Sequence, residues 1–197
     1  MRKKIQIGKF QVGGIQIAAG VLVAVLAIFA IVVALQPAEF QIARTTTIAA
    51  PPRAAFDQVN DLRKWDAWSP WAKLDPAAKV SFEGAKVGTG AVFKWSGNDK
   101  IGEGRMTVTE SKPASVIKLK VDFTKPFEGG NASEFSFKPE GKGTAVTWSM
   151  SGRNDNFFAK AACLVMNMQA SLGGEMEKGL AQMKSVVEGR GAFAKQR

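Results

Sequence analysis

Three tryptophans, Trp65, Trp68 and Trp71, fall within seven residues of one another in the stretch Ile48–Trp71, IAAPPRAAFDQVNDLRKWDAWSPW. A buried aromatic ring covers roughly 150–250 Å², so a piece this aromatic must fold against something that removes it from water. The segment TTTI before it reads as a strand. Pro51 and Pro52 stop that strand and open a helix, because first-turn N–H groups have no intrahelical partner to lose. Ala55, Phe56 and Val59 give the short helix one apolar side. Asn60 and Asp61 interrupt it, and the tryptophans follow as an irregular segment ended by Ser69-Pro70. They either pack as plain core or wall a cavity.

Downstream the pattern is that of strands. Arg44–Ile48, Val80–Glu83, Ala91–Trp95, Ile101–Glu110, Val116–Phe123, Ala132–Lys138 and Ala145–Ser151 make about seven. Gly84, Gly88 and Gly90 mark the turn of a hairpin. Their spacing is not the dinucleotide-binding pattern, and no helix follows. Gly102 and Gly104 inside a strand point to a bulge or tight bend. Ile117, Leu119, Val121 and Phe123 alternate with Lys118, Lys120 and Asp122, as in an antiparallel strand with one wet face. Phe135 and Phe137 share a face, as do Val146, Trp148 and Met150. After Asn154 the period becomes helical. Phe157, Phe158, Ala161, Ala162, Leu164, Val165 and Met168 form one stripe. Gly173-Gly174 offers a break or kink, and Leu172, Met176, Leu180, Met183 and Val187 form a second stripe. This C-terminal helix is the only element large enough to cover the apolar face of the sheet. Met166, Met168, Met176 and Met183 suit an adaptable lining or ordinary packing.

Taken together, these motifs resemble the SRPBCC superfamily of START-like, helix-grip proteins, and within it the bacterial group labelled polyketide cyclase/dehydrase. The resemblance rests on Ala-Pro before a helix with Phe-x-x-Val-Asn-Asp, then Trp-x-x-Trp-Ser-Pro-Trp. It continues in Gly88-x-Gly90, Trp95-Ser-Gly97, Lys125-Pro126-Phe127, Gly143-Thr144 with Val146-x-Trp148, and Gly179-Leu180. It covers about Phe40 to Glu188. It implies an α+β fold, with a curved antiparallel sheet of about seven strands around a long C-terminal helix and a cavity between them. Trp65, Trp68, Trp71, Phe93, Trp95, Met106, Trp148 and Met176 are the candidates for lining that cavity.

Ile15–Leu35 is apolar apart from Gln16. Its length, about 31 Å as a helix, spans a hydrocarbon core. The run exceeds a secretory h-region of ~7–15 residues, and no small-x-small cleavage site follows it. The expectation is one uncleaved transmembrane helix. Arg2, Lys3, Lys4 and Lys9 precede it, which keeps residues 1–14 cytoplasmic. The domain then sits outside the cytoplasm, in the periplasm of a Gram-negative cell. Residues 36–41 read as a linker, 42–188 as the START-like domain and 189–197 as a basic tail.

The formal charge of +10 is concentrated at the ends. With the four basic residues of 1–14 and Arg190, Lys195 and Arg197 set aside, 20 basic residues face 17 acidic ones. A nucleic-acid groove would concentrate charge in the domain itself, so nucleic acid is not an expected partner. The expected partners are the membrane, through the N-terminal helix, and a hydrophobic small molecule or lipid. The chain has no His, no Tyr and a single cysteine, Cys163, in an apolar stretch. Nucleophiles activated by histidine are excluded, a metal site would need carboxylates alone, and no cofactor is expected. The binding reading therefore leads. The alternatives are a cyclase or dehydratase using a carboxylate with Arg105, and an interaction domain with a filled cavity.

Overall fold

Nine-residue α2 (Pro52–Asn60) begins at the proline pair and buries Ala55, Phe56 and Val59. Two 3-10 turns, Leu62–Ala67 and Pro70–Lys73, then carry Trp65 and Trp71, and Trp68 caps the first of them. The structure, a computed structural model, describes residues 9–126, 128–153, 157–165 and 167–194. Phe127, Asn154 and Met166 of the sequence motifs lie outside the described residues, as do residues 1–8 and 195–197.

The strands are β1 (Glu39–Ile48), β2 (Lys79–Gly84), β3 (Ala91–Ser96), β4 (Glu103–Lys112), β5 (Val116–Lys125), β6 (Gly129–Glu140) and β7 (Gly143–Arg153). They form one seven-stranded sheet in the order β1-β7-β6-β5-β4-β3-β2. Every pairing is antiparallel. Consecutive strands from β2 to β7 pair as hairpins, and β1 returns to close on β7. The fold is the expected α+β helix-grip architecture. β1 is longer than the expected Arg44–Ile48, because Glu39, Phe40 and Gln41 pair with Arg153, Gly152 and Ser151. The linker is thus Gln36–Ala38 rather than 36–41.

The remaining helices are α1 (Lys9–Leu35), α3 (Phe157–Val165) and α4 (Met168–Ala194). Within α1, the 20-residue segment Gln16–Leu35 contains an 18-residue window with a mean hydropathy of 3.1, 6% of it buried. That length and composition fit a membrane anchor or a signal sequence. α4 runs through the expected tail as far as Ala194. It lies along β1 in the same direction. Arg44 Nε donates to Glu177 Oε1 (2.6 Å), Lys184 Nζ to the Thr47 carbonyl (2.8 Å) and the Ala49 N–H to Glu188 Oε1 (2.8 Å). Met176, Leu180, Met183 and Val187 form its buried stripe.

The expected break at Gly173-Gly174 is absent. α4 passes through both glycines, and the chain turns instead at Asn167, whose φ of 44° places it in the left-handed region. Asparagine tolerates that region better than most residues with a Cβ. Gly173 serves close approach: a Cβ there would collide with the Arg44 guanidinium. Gly179 does the same for the core. A Cβ on it would lie 2.9 Å from Pro70 and 3.0 Å from the Trp148 ring, whereas one on Gly174 would meet nothing within 4 Å.

These two glycines make opposite predictions. Gly174→Ala should stabilise the full-length chain in detergent by about 0.5–1 kcal/mol, the helix-propensity gain. Gly179→Ala should lose more than that gain to overpacking against two rigid groups, for a net loss of about 1–2 kcal/mol. Paired thermal melts check both signs.

Candidate functional site

In register, the inner face of the sheet resolves into cross-strand rows. One row crosses all seven strands: Phe40, Gly152, Asn131, Val121, Met106, Phe93 and Phe82. On its outer side, toward the start of β1, lie Val80, Trp95, Gly104 and Phe123. On its other side comes Ile42, Met150, Ser133, Leu119 and Val108, then Trp148, Phe135 and Ile117.

Burial changes sharply along this direction. Trp148, Phe135 and Ile117 are 0% exposed, whereas Phe82 is 37% and Val80 53% exposed. Phe93, Trp95, Phe123 and Phe40 are half-buried. The concave face is closed at one end and open at the other.

The closed end is packed ring on ring. Trp148 stacks on Phe135 at 4.8 Å, and Trp65 and Trp68 lie 4.6 Å apart. Trp68 and Trp71 meet Trp148 edge-on at 5.8 and 5.5 Å. Each buried indole N–H has an internal acceptor: Trp65 donates to the Val59 carbonyl, Trp68 to the Gln58 carbonyl and Trp148 to Ser133 Oγ. Met176 is fully buried against this end.

The open end carries a continuous aromatic floor. Phe82–Phe93, Phe93–Trp95 and Trp95–Phe123 are 5.4, 5.9 and 5.6 Å apart. The Trp95 N–H is held by the Ile101 carbonyl at 3.0 Å. Its ring lies across Gly104, where a Cβ would come within 2.7 Å of it. The Arg63 guanidinium sits 4.7 Å from the Phe82 ring centroid and donates to the Lys86 carbonyl. In the same row, Asn131 Oδ1 is buried and has no hydrogen-bond partner.

The eight candidate lining residues thus divide. Trp65, Trp68, Trp148 and Met176 belong to the closed core, with Trp71 half-buried at its edge. Phe93 and Trp95 belong to the open floor, and Met106, in the same row as Phe93, is buried. Phe82, Phe123 and Asn131 complete that floor and were not among the candidates. Phe82 and Phe123 lay within expected strands, on the right alternation to be found. Asn131 lay one residue before the expected start of its strand.

Arg105 does not reach the interior. Its neighbours Gly104 and Met106 face inward, so alternation turns it outward, where it pairs with Asp122 at 3.4 Å. The outer face of β4 and β5 is ionic. Hydrogen bonds from Lys112 and Lys118 pull the Glu110 carboxyl down to about 2. Glu103 is lowered by Lys125 and Ser96, and Asp122 by Lys120 and then Arg105. Two shallow depressions of about 750 and 580 Å³ lie over this outer face, lined among others by Lys120 and Arg153 and by Lys94 and Arg105. Among the described residues, no three His, Cys, Asp or Glu converge to hold a metal ion.

Glu110 gives a pH prediction. Its folded pKa lies below the ordinary ~4.3, so its contribution to stability is present above that value and is lost as pH falls toward about 2. Glu110→Gln should flatten this part of the acid limb and change the melting temperature little at neutral pH, since exposed pairs contribute little. Melting midpoints measured between about pH 6 and pH 2 check it.

The family described as polyketide cyclase/dehydrase and lipid transport matches residues 39–188 of the chain. No curated protein matches the sequence. Among solved structures, the di-domain ARO/CYC StfQ from the steffimycin biosynthetic pathway is similar with a TM-score of 0.58 and 13% identity, over 78% of this chain and 52% of that one. Ara h 8.0201 has a TM-score of 0.56 and 13% identity, over 77% and 99% of the two chains. The Aha1 dimer from Colwellia psychrerythraea has a TM-score of 0.54 and 16% identity, over 76% and 96%. At these identities the likeness is one of fold.

Proposed function

The chain belongs to the polyketide cyclase/dehydrase and lipid transport family, and on that premise we propose that it holds an apolar small molecule or lipid on the open aromatic floor of its sheet, without acid–base catalysis, in a domain that α1 tethers to a membrane. The observation that carries this reading is the burial gradient along the inner face. A packed aromatic core fills one end and leaves Phe82, Phe93, Trp95 and Phe123 partly exposed at the other. Ligand sites are mostly apolar with a few placed polar groups, and Asn131, whose buried Oδ1 has no partner, supplies one when its side chain turns out to the floor. Its unpartnered oxygen is an acceptor, so the ligand it suits carries a hydroxyl or N–H on an apolar body.

The magnitudes are adequate. Burying about 500 Å² of apolar surface, summed over floor and ligand, supplies ~12 kcal/mol. After an association cost of at least ~4 kcal/mol, micromolar affinity is left. Proton-transfer chemistry has less support. Among the described strands, the inner positions carry one charged residue, Arg44, and it is engaged by Glu177. A carboxylate acting with Arg105 would work on the outer face.

The tether rests on the length and hydropathy of Gln16–Leu35 and on the basic residues before it, which orient the N-terminus to the cytoplasm and the domain to the outer side.

A fluorescent fatty acid titrated into the purified chain tests the site. Phe93→Ser and Trp95→Ser should each weaken binding at least tenfold, while Arg105→Gln should leave it unchanged. Asn131→Leu should weaken a hydroxylated probe and spare a pure hydrocarbon. Equal affinities across the wild type and both floor variants, with native circular dichroism spectra, would overturn the assignment.

A further inference from the structure

We propose that α3 is a second membrane contact, which presses the open end of the groove against the bilayer; the inference rests on α1 crossing that bilayer. α3 reads FFAKAACLV, with Lys160 its only charged residue. Phe157, Leu164 and Val165 are 42%, 39% and 71% exposed. An exposed apolar helix of this kind marks an interaction surface.

Its position says which surface. α1 and α3 pack together, and Val33 in the last turn of α1 is fully buried. Lys160 Nζ donates to the Gln36 carbonyl at 2.8 Å. This satisfies an acceptor at the end of α1 and places a cation at the negative end of the helix dipole. α3 is therefore fixed at the level where α1 leaves the hydrocarbon. At that depth an apolar face enters lipid, while a lysine stem lies along apolar surface with its charged head at the boundary.

The sheet follows from this placement. β1 starts at Glu39, and Gln36–Ala38 span at most ~10 Å when extended. β7 ends at Arg153, just before α3. Both connections leave the sheet at the end where Trp95, Phe93 and Phe123 are open. α3 and α1 thus turn the mouth of the groove toward the bilayer, and an apolar ligand can pass between lipid and floor without crossing bulk water.

The test uses the full chain with Cys163 replaced by serine and single cysteines at Val165→Cys, Val25→Cys and Lys142→Cys. Each is labelled with an environment-sensitive dye in phosphatidylcholine/phosphatidylglycerol nanodiscs. Some of the lipids carry a nitroxide quencher, near either the carboxyl or the methyl end of the acyl chain. The Val25 probe should be quenched by the deep nitroxide. The Val165 probe should lose at least half its emission to the shallow one, and the Lys142 probe, in the turn at the far end of the sheet, should lose none. Leu164→Cys replaces Val165→Cys if that variant misfolds. Quenching at Val25 without quenching at position 165 or 164 overturns the α3 contact and leaves the span intact. An unquenched Val25 probe removes the span, and this inference with it.

Discussion

The stacking of Trp148 on Phe135, with Trp65, Trp68 and Trp71 set edge-on around them, is the interaction on which the rest of the domain depends. Trp148 lies on β7, next to both β6 and β1. It thus joins the strand that closes the sheet to the segment that plugs it. Gly179 lets α4 reach the same ring. A tryptophan deleted from such a site costs about 3–5 kcal/mol, against a total stability of about 5–15 kcal/mol for a domain. The indole donors of Trp65, Trp68 and Trp148 are satisfied by two backbone carbonyls and one serine, so burying these three rings strands no donor.

Closing one end of the sheet leaves the other open, for reasons of size. Seven strands spaced ~4.8 Å apart make a sheet ~29 Å wide, while one helix is ~10–12 Å across. α4 covers the β1 and β7 side. α2 and the two 3-10 turns cover the end that holds the tryptophans. α3 was the remaining element that could have covered the other end, and it packs on α1 instead. The aromatic floor on β2, β3 and β5 is left open because α3 packs on α1.

How much of this was legible depends on the range of the interaction. Alternation placed Phe135 with Phe137, Val146 with Trp148, and Phe93 with Trp95 on common faces, and all six face inward. The break at Ser69-Pro70 was legible too: Trp65 lies in the first 3-10 turn, Trp68 caps it, and Trp71 lies in the second. The rows across the sheet were not legible, because their register depends on the irregularities of the β4–β5 pairing and, at one end, on β1 and β7 meeting across a hundred residues. The glycine pair in α4 misled for a related reason. Gly173 looks like a breaker locally, and only the approach of Arg44 from β1 shows why a helix keeps it there.

The two faces of the sheet divide the chemistry between them. Charge is spent outside, where Lys118, Lys120 and Lys125 engage Glu110, Asp122 and Glu103. Inside, the fold offers rings, methionines and three buried amide oxygens without a partner, those of Gln58, Asn131 and Gln182, of which Asn131 alone lies on the sheet. A fold of this kind supports unrelated activities, so function has to be read from the site rather than from the architecture. The orphaned oxygen of Asn131 is the informative detail. Leaving a buried acceptor unpaired costs about 1–3 kcal/mol, and the neighbouring row position on β5 is filled by Val121 at no such cost. A pure packing role would favour an apolar residue at 131 as well. A ligand that donates one hydrogen bond there recovers the lost energy on binding. On the proposed reading, the amide biases the open floor toward an apolar molecule with one polar end.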